Sequence, residues 1–140
     1  MSSKLLIAKN WQIIKDKISQ TNRNFDTFSV LPITKSVGLE ELQILATLGF
    51  TSFGENRIEM LVQKHNLLHD ANYNWHFVGN IQSRKIPEIA TYSHLIHSVD
   101  NHNILNKLNA YGIKYNKKIN ILLKNRIEFH KSYLHHLSEY

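Results

Sequence analysis

Five short apolar runs alternate with amphipathic stretches along residues 4–123, with few residues between them, and this alternation constrains the chain more than any other feature. Strand and helix repeating in this way, with short connections, specify parallel βα units covered by helices. The fold class is therefore α/β. Right-handed crossovers leave an open doubly wound sheet or a closed (β/α)8 barrel as the main candidates. A complete barrel takes about 250 residues and rarely fewer than 200, so a chain of 140 has room for about five of eight units, a partial barrel.

Residues 4–19 set Ile7, Trp11, Ile14 and Ile18 on one face of a leading helix. Phe28 to Lys35, rich in apolar and β-branched residues, reads as a first buried strand. Leu39, Leu42, Leu45 and Ala46 mark a helix that Gly49 terminates. Thr51–Phe53, Asn74–Val78, His94–His97 and Ile119–Leu123 are the next four strands. Between them, Asn56 with Glu59 resembles a capping box for a helix through Ile58, Leu61, Val62 and Leu68. Ile81–Ala90 reads as a further helix, and Asp100 is placed to cap one through Ile104, Leu105 and Leu108. Residues 124–140 hold neither a clean strand alternation nor a strong helical stripe.

Composition narrows the chemistry. With no cysteine, disulfides, thiolate zinc sites and cysteine nucleophiles are excluded. The first apolar run is too short for a signal-peptide core or a membrane span, and a cytoplasmic location is expected. The formal charge of +6 is uneven, since residues 114–140 carry six basic and two acidic side chains. A basic tail suggests an anionic surface or nucleic acid, but no aromatic-basic module accompanies it, and a solvated segment is the better reading.

Lys35 closes the first strand, where α/β folds place their active sites. A lysine there either escapes to solvent or serves as a nucleophilic amine, with partial desolvation exposing its lone pair toward an aldehyde or ketone. Gly54-Glu55-Asn56, Gly79-Asn80-Ile81-Gln82 and Ser98-Val99-Asp100 follow the next three strands, on the same rim. Asn56 is expected both to cap a helix and to meet a polar ligand; Asp100 is expected to cap only. His65 and His69 lack an H-E-x-x-H frame and suit an exposed helix face. His94 and His97, three apart on a strand, are expected on opposite faces, and His76 as a hydrogen-bonded core histidine. No metal site is expected.

Pro32-Ile-Thr-Lys35, Phe53-Gly-Glu-Asn56, Trp75-His-Phe-Val-Gly79 with Ile81-Gln-Ser83 and Lys85, and His97-Ser-Val-Asp100 resemble, in order and spacing, the signatures of the pyridoxal phosphate homeostasis proteins. These YggS or PROSC family members are single-domain relatives of the amino-terminal barrel of alanine racemase. The resemblance implies a TIM-type barrel that carries pyridoxal 5′-phosphate (PLP) as a Schiff base on the first-strand lysine, here Lys35, with Asn56 lining the cofactor pocket. It implies a carrier or regulator of the cofactor rather than a catalyst.

The resemblance covers residues 3 to about 123, so residues 1–123 are expected to form an incomplete PLP-binding barrel domain and 124–140 a divergent basic tail. Barrels hold a ligand phosphate on the loops after strands seven and eight. A truncated member with weakened PLP binding is the expectation. Open sheet edges would invite self-association, whereas neither a membrane nor a nucleic-acid partner is expected. The alternatives are an alanine-racemase-like PLP enzyme, for which no second acid/base is identifiable, and a nucleic-acid-binding module using the tail.

Overall fold

A computed structural model describes residues 3–21, 29–68 and 72–124. Along the chain run α1 (Ser3–Ser19), α2 (Leu39–Thr47), β1 (Ser52–Glu55), α3 (Ile58–Leu67), β2 (Asn74–Phe77), α4 (Ile86–Tyr92), β3 (Leu95–Val99), α5 (His102–Tyr115) and β4 (Ile121–Leu123). A 3-10 turn over Ser83–Lys85 leads into α4, so the helix expected from Ile81 starts five residues later, with Pro87 in its first turn.

The described strands form one parallel sheet in the order β1-β2-β3-β4. This order decides between the two architectures left open. A doubly wound sheet reverses direction at a switch point; here each strand is added outside the last. Trp75, Phe77 and Ile96 share one core with Ile58 and Leu61 of α3, Ile86 and Ile89 of α4, and Ile104 and Leu108 of α5. Helices cover that face of the sheet. The arrangement is an arc of a (β/α) barrel.

The first predicted strand is reduced to a single bridge between Ile33 and Gly54, beside β1. Thr34 N–H donates to the Gly54 carbonyl (2.8 Å) and Gly54 N–H to the Pro32 carbonyl (2.8 Å). The next rung back would need an N–H at residue 32, which proline lacks. The pairing therefore stops. Phe28 lies outside the described residues.

Helix ends follow local chemistry. Gly49 takes φ 94° just past α2, the left-handed conformation that closes a helix with a glycine. At the other end of α2, Gly38 N–H donates to the Glu41 carboxylate (3.0 Å). In α1 the predicted face is only partly covered: Trp11 meets the Phe50 ring at 4.7 Å, while Ile14 stays exposed. Among the described residues no helix is long and apolar enough to cross a membrane.

Candidate functional site

In a parallel arc every strand ends on the same rim, and the loops that follow β1 and β2 meet there. A cleft of about 470 Å³ is lined by Ile33, Lys35, Asn56, Val78, Gly79, Asn80 and Gln82, within the usual range for small-molecule sites. Both sequence-predicted site residues, Lys35 and Asn56, line it. Lys35 is exposed, and among the described residues it makes no ion pair or hydrogen bond, so its amine is available to a ligand. The partial desolvation expected of that amine is not supplied by its described neighbours.

Asn56 is exposed and does not cap α3. The helix begins at Ile58, so the cap position falls on Arg57, which is extended (φ −122°, ψ 125°) and offers no side-chain hydrogen bond. Asn56 keeps its carboxamide for the cleft. Asp100 is likewise displaced from its expected role: α5 begins at His102, and Asn101 is the cap, its Oδ1 accepting from Ile104 N–H at 2.9 Å. Asp100 Oδ1 accepts from Asn101 Nδ2 (2.7 Å), which turns the carboxamide oxygen toward the helix.

The rim is held closely. A Cβ at Gly79 would lie 1.9 Å from the Asn56 carbonyl oxygen, so the loops after β1 and β2 touch backbone to backbone, and only glycine allows it. Ser98 Oγ donates to the Gly79 carbonyl from β3. Next to this cleft, a smaller one shares Asn56, Asn80 and Gln82 and adds Arg57, Glu59 and Lys85. Lys85 is paired with Glu59 (3.0 Å) and Glu88 (3.2 Å). Hydrogen bonds to those two carboxylates raise the Lys85 pKa, whereas a backbone hydrogen bond, then Lys85, lowers that of Glu59.

Beneath the rim lies a group that sequence spacing did not reveal. Thr34, Glu55 and Lys64 are all buried. Lys64 Nζ is ion-paired with Glu55 Oε1 and donates to the Thr34 carbonyl (2.6 Å), while Thr34 Oγ1 donates to Glu55 Oε1 (2.8 Å). Glu55 Oε2 is buried without a hydrogen-bond partner among the described residues. The available signal was Lys64 itself, three and six residues after Leu61 and Ile58 on the apolar stripe of α3. A cation on such a stripe needs a buried partner.

On the sheet face away from the helices, His76 Nδ1 and His97 Nε2 are 2.9 Å apart, and the His76 and His94 rings stack at 5.9 Å. The sequence-based separation of His94 and His97 fails because β3 begins at Leu95, leaving His94 outside the strand. Burial, then His97 and His94, lowers the His76 pKa to about 4, and burial lowers that of His97. Two neutral rings can then share one N–H. His65 is half-buried, edge-on to Tyr92 (5.2 Å), rather than on a free face, and His69 lies outside the described residues. No group of three His, Asp or Glu side chains among the described residues is arranged to hold a metal ion.

Fold and rim together define a class: a parallel (β/α)-barrel arc with a free lysine at the carboxyl end of its first strand segment. The chain is a homologue of the pyridoxal phosphate homeostasis proteins. It is 28% identical over 120 residues to that of Pasteurella multocida, covering 84% of this chain and 52% of the relative. With that of Corynebacterium glutamicum it is 35% identical over 91 residues, covering 65% and 40%. PipY of Synechococcus elongatus, solved with PLP bound, superposes with a TM-score of 0.75 at 20% identity, covering 89% of this chain and 63% of PipY. The chain spans about half the length of the curated relatives it matches. No family model matches it.

Proposed function

We propose that this chain binds PLP at the rim cleft, with Lys35 as the covalent anchor and Asn56 as a lining residue. The observation that carries the reading is the convergence of a free lysine amine and three carboxamides, Asn56, Asn80 and Gln82, in one cleft. PLP supplies an aldehyde on an electron-withdrawing ring. The Lys35 nitrogen can add to that carbon and release water, leaving a Schiff base. The carboxamides can each donate to and accept from the polar edge of the ring. Crowding at Gly79 keeps the loops after β1 and β2, and hence the Asn56 and Asn80 amides, on one wall.

Relatives that align over most of this chain are named for PLP homeostasis, which supports a carrier or buffering role for this chain. The test is direct: add PLP to the 140-residue chain, follow the near-ultraviolet band of a Schiff base, reduce with borohydride, and map the modified peptide. Modification concentrated at Lys35 and abolished in Lys35→Ala supports the reading. Modification spread over exposed lysines, or none, refutes it.

A further inference from the structure

We propose that Glu55 and Lys64 are positioning residues for the rim lysine: their buried ion pair, through Thr34, fixes where Lys35 and Asn56 leave the sheet. The inference rests on the PLP reading for its purpose and on the geometry beneath the rim for its substance. Lys35 sits at the end of a segment that a single bridge attaches to β1. Because Pro32 cannot extend the ladder, two backbone hydrogen bonds would leave the segment free to swivel about Ile33. Thr34 removes that freedom. Its N–H, hydroxyl and carbonyl are all held, by the Gly54 carbonyl, Glu55 Oε1 and Lys64 Nζ respectively.

The carbonyl that Lys64 grips belongs to the peptide plane that also contains the Lys35 backbone nitrogen. Fixing that plane fixes the direction in which Lys35 departs. The same ammonium holds the side chain of Glu55, whose following residue is Asn56. Each of the two cleft residues therefore comes directly after a member of the network, and Lys64 spans both. The pair sets the width of the cleft.

A stability role alone explains this arrangement poorly. Buried ion pairs are often replaceable by apolar residues without loss of stability, and this one leaves Glu55 Oε2 without a hydrogen-bond partner among the described residues. A buried pair of this kind can serve to specify a geometry.

The double variant Glu55→Leu/Lys64→Met removes the charges together and leaves neither partner stranded. On the full chain, two quantities are read: amide hydrogen exchange at Thr34 and Gly54 relative to core amides such as Ile96, and borohydride-trapped PLP at Lys35. We expect core protection to persist while exchange at Thr34 and Gly54 quickens by about tenfold or more, as for a locally released segment, and trapping at Lys35 to fall in parallel. Thr34→Val, which keeps the ion pair and cuts only the hydroxyl link, should move both quantities the same way by a smaller factor, and it decides the matter if the double variant does not fold. Wild-type exchange at Thr34 in the folded double variant, or in Thr34→Val if only that folds, overturns the positioning role whatever PLP does. Released exchange with unchanged trapping at Lys35 overturns it too. A wild-type chain that never traps PLP at Lys35 overturns the cofactor reading and, with it, the purpose assigned to the clamp.

Discussion

At the level of single residues, Gly79 and His76 make the sharpest commitments. Alanine at 79 would drive a methyl into the Asn56 backbone, which cannot rotate away as a side chain could. We expect Gly79→Ala to cost about 2–4 kcal/mol, the upper range of overpacking, measured by urea denaturation, and to displace Asn56 from the cleft. His76 acts through pH. Its pKa of about 4 in the fold lies below the ordinary 6.5, so between those values the unfolded chain binds more protons than the native one. Stability should fall as the pH drops from about 6.5 to about 4 and level off below. The half-exposed ring is partly screened by water, so we expect about 1 kcal/mol from this group rather than its full shift. Comparing urea midpoints of the wild type and His76→Gln at pH 7 and pH 4.5 measures it; equal losses in the two would remove His76 from the account.

Elements raise a different question, that of boundaries. Asp100 and Asn101 are adjacent and both are good caps, so composition alone could not say which would sit at the helix start. A one-residue shift of α5 decided it. We expect Asn101→Ala to cost about 1 kcal/mol and Asp100→Ala only a few tenths, by thermal or urea unfolding. The same one-residue uncertainty cost Asn56 its expected cap. The four described strands were legible as short apolar runs bounded by turn residues, the first predicted strand survives only as the Ile33 bridge, and Lys35 and Asn56 were legible because they end or follow such runs. The histidine cluster was not legible, since it depends on the register that sets His76 beside Leu95, and register is a property of two segments rather than one. Nor was the Glu55–Lys64 pair, which joins residues whose separate patterns say strand end and helix face.

For the molecule as a whole, the sequential strand order is the governing fact. The periodicity predicted parallel βα units and the family resemblance a partial barrel; the observed order bears out the arc against a doubly wound sheet. An arc has two edges. Among the described residues β4 is the last strand of the sheet, with Leu122 and Leu123 exposed on it, and backbone left unpaired among those residues beside apolar side chains is a template for strand addition. We expect concentration-dependent self-association in sedimentation velocity, reduced by Leu122→Lys. A monomer at all concentrations would show that this edge is otherwise protected. If PLP binds as proposed, it should also raise the unfolding midpoint in proportion to the logarithm of its excess over the dissociation constant, and Lys35→Ala should abolish that rise.

The meeting of Trp11 with Phe50 has a consequence of its own. No residue of α1 is buried, and this aromatic clasp joins the packing of α1 against α2 in latching the helix to the rest of the molecule. Loosening it, as in Phe50→Ala, would let the leading helix swing away while the sheet stays intact. A protease that cuts after lysine would then shave the molecule from the front, at Lys9, Lys15 and Lys17, well before the arc itself gave way.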